Sequence, residues 1–188
     1  MLELELKETL AKLKRAIQIK VTSLEQIDTF LFGPDYRFEQ KYTREQLAAI
    51  FKDKVQLTDQ QASDFAAYVI SEASSTSPKN NQTILACKVV TMMTSRMKDF
   101  AMITQSNIRK ALTELAPKLQ AVQDSAGTVL DKIDKSKNID FDAFKAYCEQ
   151  LGLGFKPQEA EIMFVHLVRK QDRLIDITAQ GFEDWIKS

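Results

Sequence analysis

Histidine and tryptophan occur once each in this 188-residue chain, cysteine twice, and glycine and proline only five and four times. So little turn chemistry argues against a protein of many short strands and for long regular elements. Cys87 and Cys148 lie in separate halves, so they suggest no disulfide framework, and no CxxC or Cys/His spacing for zinc is present. A reducing compartment is the default for such cysteine usage. Charge of one sign is not in excess either. Lys+Arg and Asp+Glu are 26 each, leaving no net field that favours nucleic acid or an anionic membrane surface. No apolar run approaches the roughly 20 residues that span a bilayer. The first stretch, MLELELKETLAKLKR, alternates charge with leucine and has neither the apolar core nor the cleavage site of a signal peptide. These absences predict a soluble cytoplasmic protein with no membrane or nucleic-acid partner. Gly-rich phosphate loops and nucleophile elbows are missing, and Arg109 with Lys110 is an isolated basic pair on a solvated helix face.

What remains is ordinary for a globular chain: 44% hydrophobic and 28% charged residues, enough for one domain or two small lobes. The apolar residues recur at helical spacing almost throughout. Residues 2–19 read as an amphipathic helix with Leu6, Leu10, Leu13 and Ile17 on one face. That face suits docking on the chain's own core or on a partner. Thr22 or Ser23 is placed to cap a second helix through Leu24, Ile27 and Leu31, ended by Gly33-Pro34. A polar segment then leads to TREQLAAIFKDKV, with Leu47, Ile50 and Phe51 inward. Thr58 caps a helix carrying Ala62, Phe65, Ala66, Val69 and Ile70 on one side. The polar stretch SEASSTSPKNNQ reads as a loop, and helical spacing resumes through Val89, Met93, Met97 and Phe100.

In the second half Ser106 is placed to cap the next helix, which Pro117 breaks or restarts. Val122, Val129, Leu130 and Ile133 then share a face. Beyond KIDKSKNIDFDAF comes a helix with Phe141, Phe144, Cys148 and Leu151 inward, stopped by Gly152 and Gly154. Pro157 starts another, with Ala160, Met163, Phe164, Leu167 and Val168 in step. Phe182, Trp185 and Ile186 mark the last. The expectation is eight helices in helix-loop-helix pairs, an N-terminal helix and a linker helix, with strand confined to single residues.

An internal repeat aligns NIDFDAFKAY with LIDITAQGFEDWI. Its Ile-Asp pairs begin at 139 and 175 and its phenylalanines stand at 144 and 182, so the last loop holds extra residues. With these residues quoted, 113–188 resembles a degenerate EF-hand pair of the calmodulin superfamily. Residues 22–100 resemble a second, fainter pair. The resemblance implies an all-α, EF-hand-like fold with two helical lobes, divided as 1–21, 22–103 and 104–188. It also implies a small antiparallel bridge in each lobe: Tyr42 with Ile84, and Ile139 with Ile177 or Ile175.

Calcium binding does not follow from the resemblance. An EF-hand loop supplies oxygens from positions 1, 3, 5, 7, 9 and a bidentate Glu at 12, with Gly at 6. The third loop offers Lys132, Asp134, Ser136, Lys137, Asp140 and Ala143 at positions 1, 3, 5, 6, 9 and 12. An ammonium stands where a carboxylate is needed, and the closing oxygens are gone. Loop 1 from Asp35 closes on Gln46, loop 2 from Ser77 on Lys88, and loop 4 from Lys170 on Gly181. No metal site and no cofactor is therefore expected. His166 sits at the border of an apolar face with no second catalytic group in its motif, which reads as a core-edge histidine. Met92, Met93, Met97 and Met102 cluster as core or as an adaptable helix-binding face. No catalytic residue is identified, and enzyme activity is not expected. The resemblance implies a calcium-independent protein that binds amphipathic helices or a cytoskeletal scaffold as a fixed, light-chain-like subunit of a hetero-assembly such as the ciliary axoneme. A calcium sensor or buffer with unorthodox sites is the alternative.

Overall fold

A computed structural model describes residues 3–21, 26–74, 83–96, 103–123, 126–173 and 175–188. The chain is mostly helical and divides into two compact units, Met1–Met102 and Ile103–Ser188. The first holds α1 (Glu3–Lys20), α2 (Ile27–Phe32), β1 (Lys41–Thr43), α3 (Arg44–Val55), α4 (Asp59–Ser74), β2 (Thr83–Leu85) and α5 (Ala86–Arg96). The second holds α6 (Gln105–Val122), α7 (Gly127–Leu130), β3 (Asn138–Ile139), α8 (Phe141–Gln150), α9 (Pro157–Lys170), β4 (Ile177–Thr178) and α10 (Ala179–Lys187). Both units follow one order: a long helix, a short helix, then two strand–helix steps joined by a further helix.

Local chemistry sets the boundaries. Thr43 caps α3, its hydroxyl accepting from Gln46 N while Gln46 Oε1 accepts from Thr43 N. Thr58 and Gln61 make the same reciprocal pair ahead of α4. Gln56 takes a left-handed conformation to turn the chain between α3 and α4. Gly152 and Gly154, at φ 73° and 57°, do so between α8 and α9. Pro157 opens α9, where its missing N–H is no loss.

The strands form two antiparallel pairs. Tyr42 faces Ile84 between β1 and β2, and Ile139 faces Ile177 between β3 and β4. Both pairings were expected, and the second resolves the alternatives for Ile139 in favour of Ile177. The ladders run two to three residues rather than the single residues expected.

Each unit has its own aromatic core. Phe51 meets Phe65 edge-on at 4.8 Å in the first. In the second, fully buried Phe144 lies 5.4 Å from Phe164, 5.8 Å from Phe182 and 5.7 Å from Trp185. Helix α1 packs against α2, α3 and α4, burying Leu13 and Ile17 as expected, while Leu6 and Leu10 are only half-buried. Ile50 and Phe141 are likewise half-buried rather than inward.

Three expected boundaries shift. The cap of α6 is Thr104, boxed with Asn107, not Ser106. Pro117 neither breaks nor restarts the helix, which runs through it to Val122. Pro117 and Thr113, whose carbonyl loses its N–H partner, are both exposed, so this side of the helix faces solvent. Helix α4 continues to Ser74, into the stretch expected as loop. The caps expected at Thr22 or Ser23, and Leu24, Met97, Phe100 and Met102, lie outside the described residues.

Candidate functional site

The segments between helix and strand are where chemistry would be expected. In the loop before β3, Asp134 turns its Oδ1 to the backbone N–H and hydroxyl of Ser136, at 3.0 and 2.6 Å. The Lys137 ammonium stands 3.5 Å from its other oxygen. Ser136 first, and Lys137 after it, hold the Asp134 carboxyl below the usual range. Asp140 accepts from Ala143 N at 2.8 Å and so caps α8. Asp134 and Asp140 are thus both engaged by the chain's own donors. Lys135 reaches out of the loop to Glu183 on α10, at 3.3 Å. Glu183 also accepts from Lys187 one turn on. Its carboxyl is held below its ordinary value, by Lys187 first and Lys135 second.

The loop before β4 is closed differently. Gln171 Oε1 accepts from the N–H and the hydroxyl of Thr178, at 2.9 and 3.0 Å. Its amide fills the space beside Gly181: a Cβ added there would lie 2.1 Å from Gln171 Nε2. In the loop register expected from the sequence, an EF-hand would carry its closing carboxylate at position 181. Here a neutral side chain from the start of the loop occupies that room. Arg173 and Asp176 pair within the same loop at 2.6 Å.

A sign reversal follows. Gly181→Ala gains up to about 1 kcal/mol of helix propensity. It also displaces the Gln171 amide and loses two hydrogen bonds, at about 0.5–1.5 kcal/mol each. Urea denaturation is expected to find the single substitution destabilising by about 1 kcal/mol, and the same substitution stabilising in a Gln171→Ala background. An unchanged sign in the two backgrounds refutes the contact.

In the loop before β1, the Tyr36 hydroxyl donates to Asp28 Oδ2, and Asp28 Oδ1 accepts from Thr29 N. Tyr36 is pushed up to about 12 by that carboxylate, and Asp28 is correspondingly lowered. Gln46, which the register expected from the sequence puts at the closing position of this loop, serves the α3 cap. Residues 75–82, the bulk of the remaining loop, lie outside the described residues. Among the described residues no cluster of His, Cys, Asp or Glu is arranged to hold a metal ion.

His166 is half-buried on α9 between buried Val165 and Leu167. Its pKa is lowered, by burial first and by Lys170 and Arg169 next. A folded value below the ordinary value of about 6.5 means the unfolded chain takes up the proton more readily. Its stabilising contribution is complete above about pH 6.5 and is lost as pH falls to the folded value. Tm is therefore expected to fall slightly between neutral pH and about pH 5, and His166→Gln to flatten that slope. Cys148 is buried, which pushes its thiol up and away from reactivity, and Cys87 is half-buried. Met93 is fully buried and Met92 half-buried.

An open cleft of about 560 Å³ between α3 and α4 is lined by Arg44, Glu45, Lys52, Asp59 and Ser63 over alanine methyls. Arg44 bonds Ser63 and stands 3.9 Å from Asp64, and Lys52 meets Asp59 at 2.6 Å. Among the described residues no helix is long and apolar enough to cross a membrane.

The roles of Gln171, Lys135 and Tyr36 were not foreseen in the sequence. The glycine at 181 was visible as a missing ligand, but not as room for another side chain. In comparisons with known proteins, no family model, no curated protein and no solved structure matches the chain.

Proposed function

We propose that this is a non-catalytic, calcium-independent EF-hand-like protein that acts by binding other proteins, as a fixed structural subunit of a larger assembly. The observation that carries it is the state of the loops. Paired strands join them in each unit, through Tyr42 with Ile84 and Ile139 with Ile177, as calcium-binding pairs are joined. Oxygens of Asp134, Asp140 and Gln46, at positions that would face a cation, are bonded instead to Ser136, Ala143 and Thr43. A lobe whose loops are satisfied by its own side chains has no ligand to switch on, so its geometry is set by its core.

That is suited to a constitutive role, such as a light-chain-like or scaffold component in a cytoskeletal assembly of the kind found in the ciliary axoneme. Among the described residues Leu4 and Phe38 are the large apolar side chains in the open, at 68% and 63% exposed. So few favour lying on a scaffold over gripping a helix in an open groove. The test is co-purification from native extract in calcium and in chelator. Detergent-resistant association with tubulin or a motor, equal in both buffers, supports the proposal. A free protein, or association that needs calcium, refutes it and favours the sensor alternative.

A further inference from the structure

Helices α1 and α6 hold the same place in their units, each ahead of a short helix and a loop. Their buried faces are not alike. Helix α6 buries Ile108, Ala111, Leu115 and Leu119, all apolar. It is boxed at its start by Thr104 and Asn107, and its Lys118 ammonium reaches Gly154 O at 3.3 Å. Arg169 of α9 adds a bond to Ile103 O, just ahead of it, at 3.2 Å.

Helix α1 packs on α2, α3 and α4 and buries Leu13, Ala16 and Ile17. One turn before Leu13, on the same stripe, stands Thr9. It is 0% exposed, and its Oγ1 has no hydrogen-bond partner. Burial has taken this hydroxyl from water without a replacement bond. Ahead of it Leu4 is exposed and Leu6 half-buried, so the first turns of α1 contribute little to its docking.

We propose that α1 is a detachable cover on the first unit: it releases from α3 and α4 while they stay folded, and Thr9 sets how often it does so. Most of a helix's stability in a protein comes from packing its buried face, so release and unwinding occur together. The state so formed uncovers the apolar side of α3 and α4. Helix α6, with a wholly apolar buried face and three polar anchors, has no such weakness and serves as the internal control.

Hydrogen exchange of the full chain, read by mass spectrometry, tests this. Amides of α1 are expected to exchange at least about tenfold faster than those of α3, α4 and α6. Thr9→Val exchanges the hydroxyl for a methyl of the same shape. It should slow α1 by about tenfold and leave the other three helices unchanged. Thr9→Ser, which keeps the hydroxyl, should leave α1 no slower than in the parent chain. The proposal is overturned if α1 exchanges as slowly as α6, if Thr9→Val slows α3 and α4 equally, or if it leaves α1 unaltered.

Discussion

Phe144→Ala is expected to destabilise the second unit by about 3–5 kcal/mol. The ring is 0% exposed and touches Phe155, Phe164, Phe182 and Trp185, so it joins α8 to α9 and α10. Truncation removes its transfer free energy and leaves a cavity walled by four other rings, which are too stiff to collapse into it. With a domain stability of about 5–15 kcal/mol, most of the margin is lost. At about 4–8 °C per kcal/mol for a unit of this size, Tm should fall by more than about 12 °C. Trp185 is the only tryptophan and lies against Phe144, so its fluorescence reports this unit directly. A fall of less than about 1 kcal/mol would mean the ring is not at the centre of this core.

The second large effect lies in the bridge itself. Ile139 and Ile177 face one another across β3 and β4, at 2% and 0% exposed. Each Ile→Ala substitution should cost about 2–4 kcal/mol. Because they are direct cross-strand neighbours, the double mutant should show a coupling of about 0.5–1 kcal/mol. The polar residues of the same loop behave oppositely. Lys132→Ala and Lys137→Ala, both exposed, should stay within about 0.5 kcal/mol. That contrast separates a loop held by its apolar side chains from one held by ligands. Equal costs for lysine and isoleucine substitutions would contradict it.

The bridge residues were legible in the sequence because a single apolar residue in a polar stretch between two helical faces has few places to go. Ile139 and Tyr42 fit that description, whereas Ile84 is followed by Leu85 and was placed only by its expected loop position. The choice between Ile175 and Ile177 was not legible. It depends on α9 running on to Lys170 and on the positive φ of Asp172, which place the extra residues before the strand. Helical faces such as Ala160, Met163, Phe164, Leu167 and Val168 were readable from spacing alone. Pro117 was misread because the rule against proline in helices assumes a carbonyl that water cannot reach, and at Thr113 it can. The interactions that fill the loops were hidden for another reason. Lys135 and Glu183 are distant in sequence, and nothing in either residue names its partner. Gln171 is an unremarkable polar residue until Gly181 is seen beside it. Thr9 reads as an ordinary helical residue, and only its burial gives it meaning.

Calcium titration of the full chain by calorimetry tests the central claim most directly. Loops closed by Ser136, Gln171 and Thr43 should give only the heat of dilution, up to millimolar calcium. Saturable binding with micromolar affinity at even one loop would contradict it.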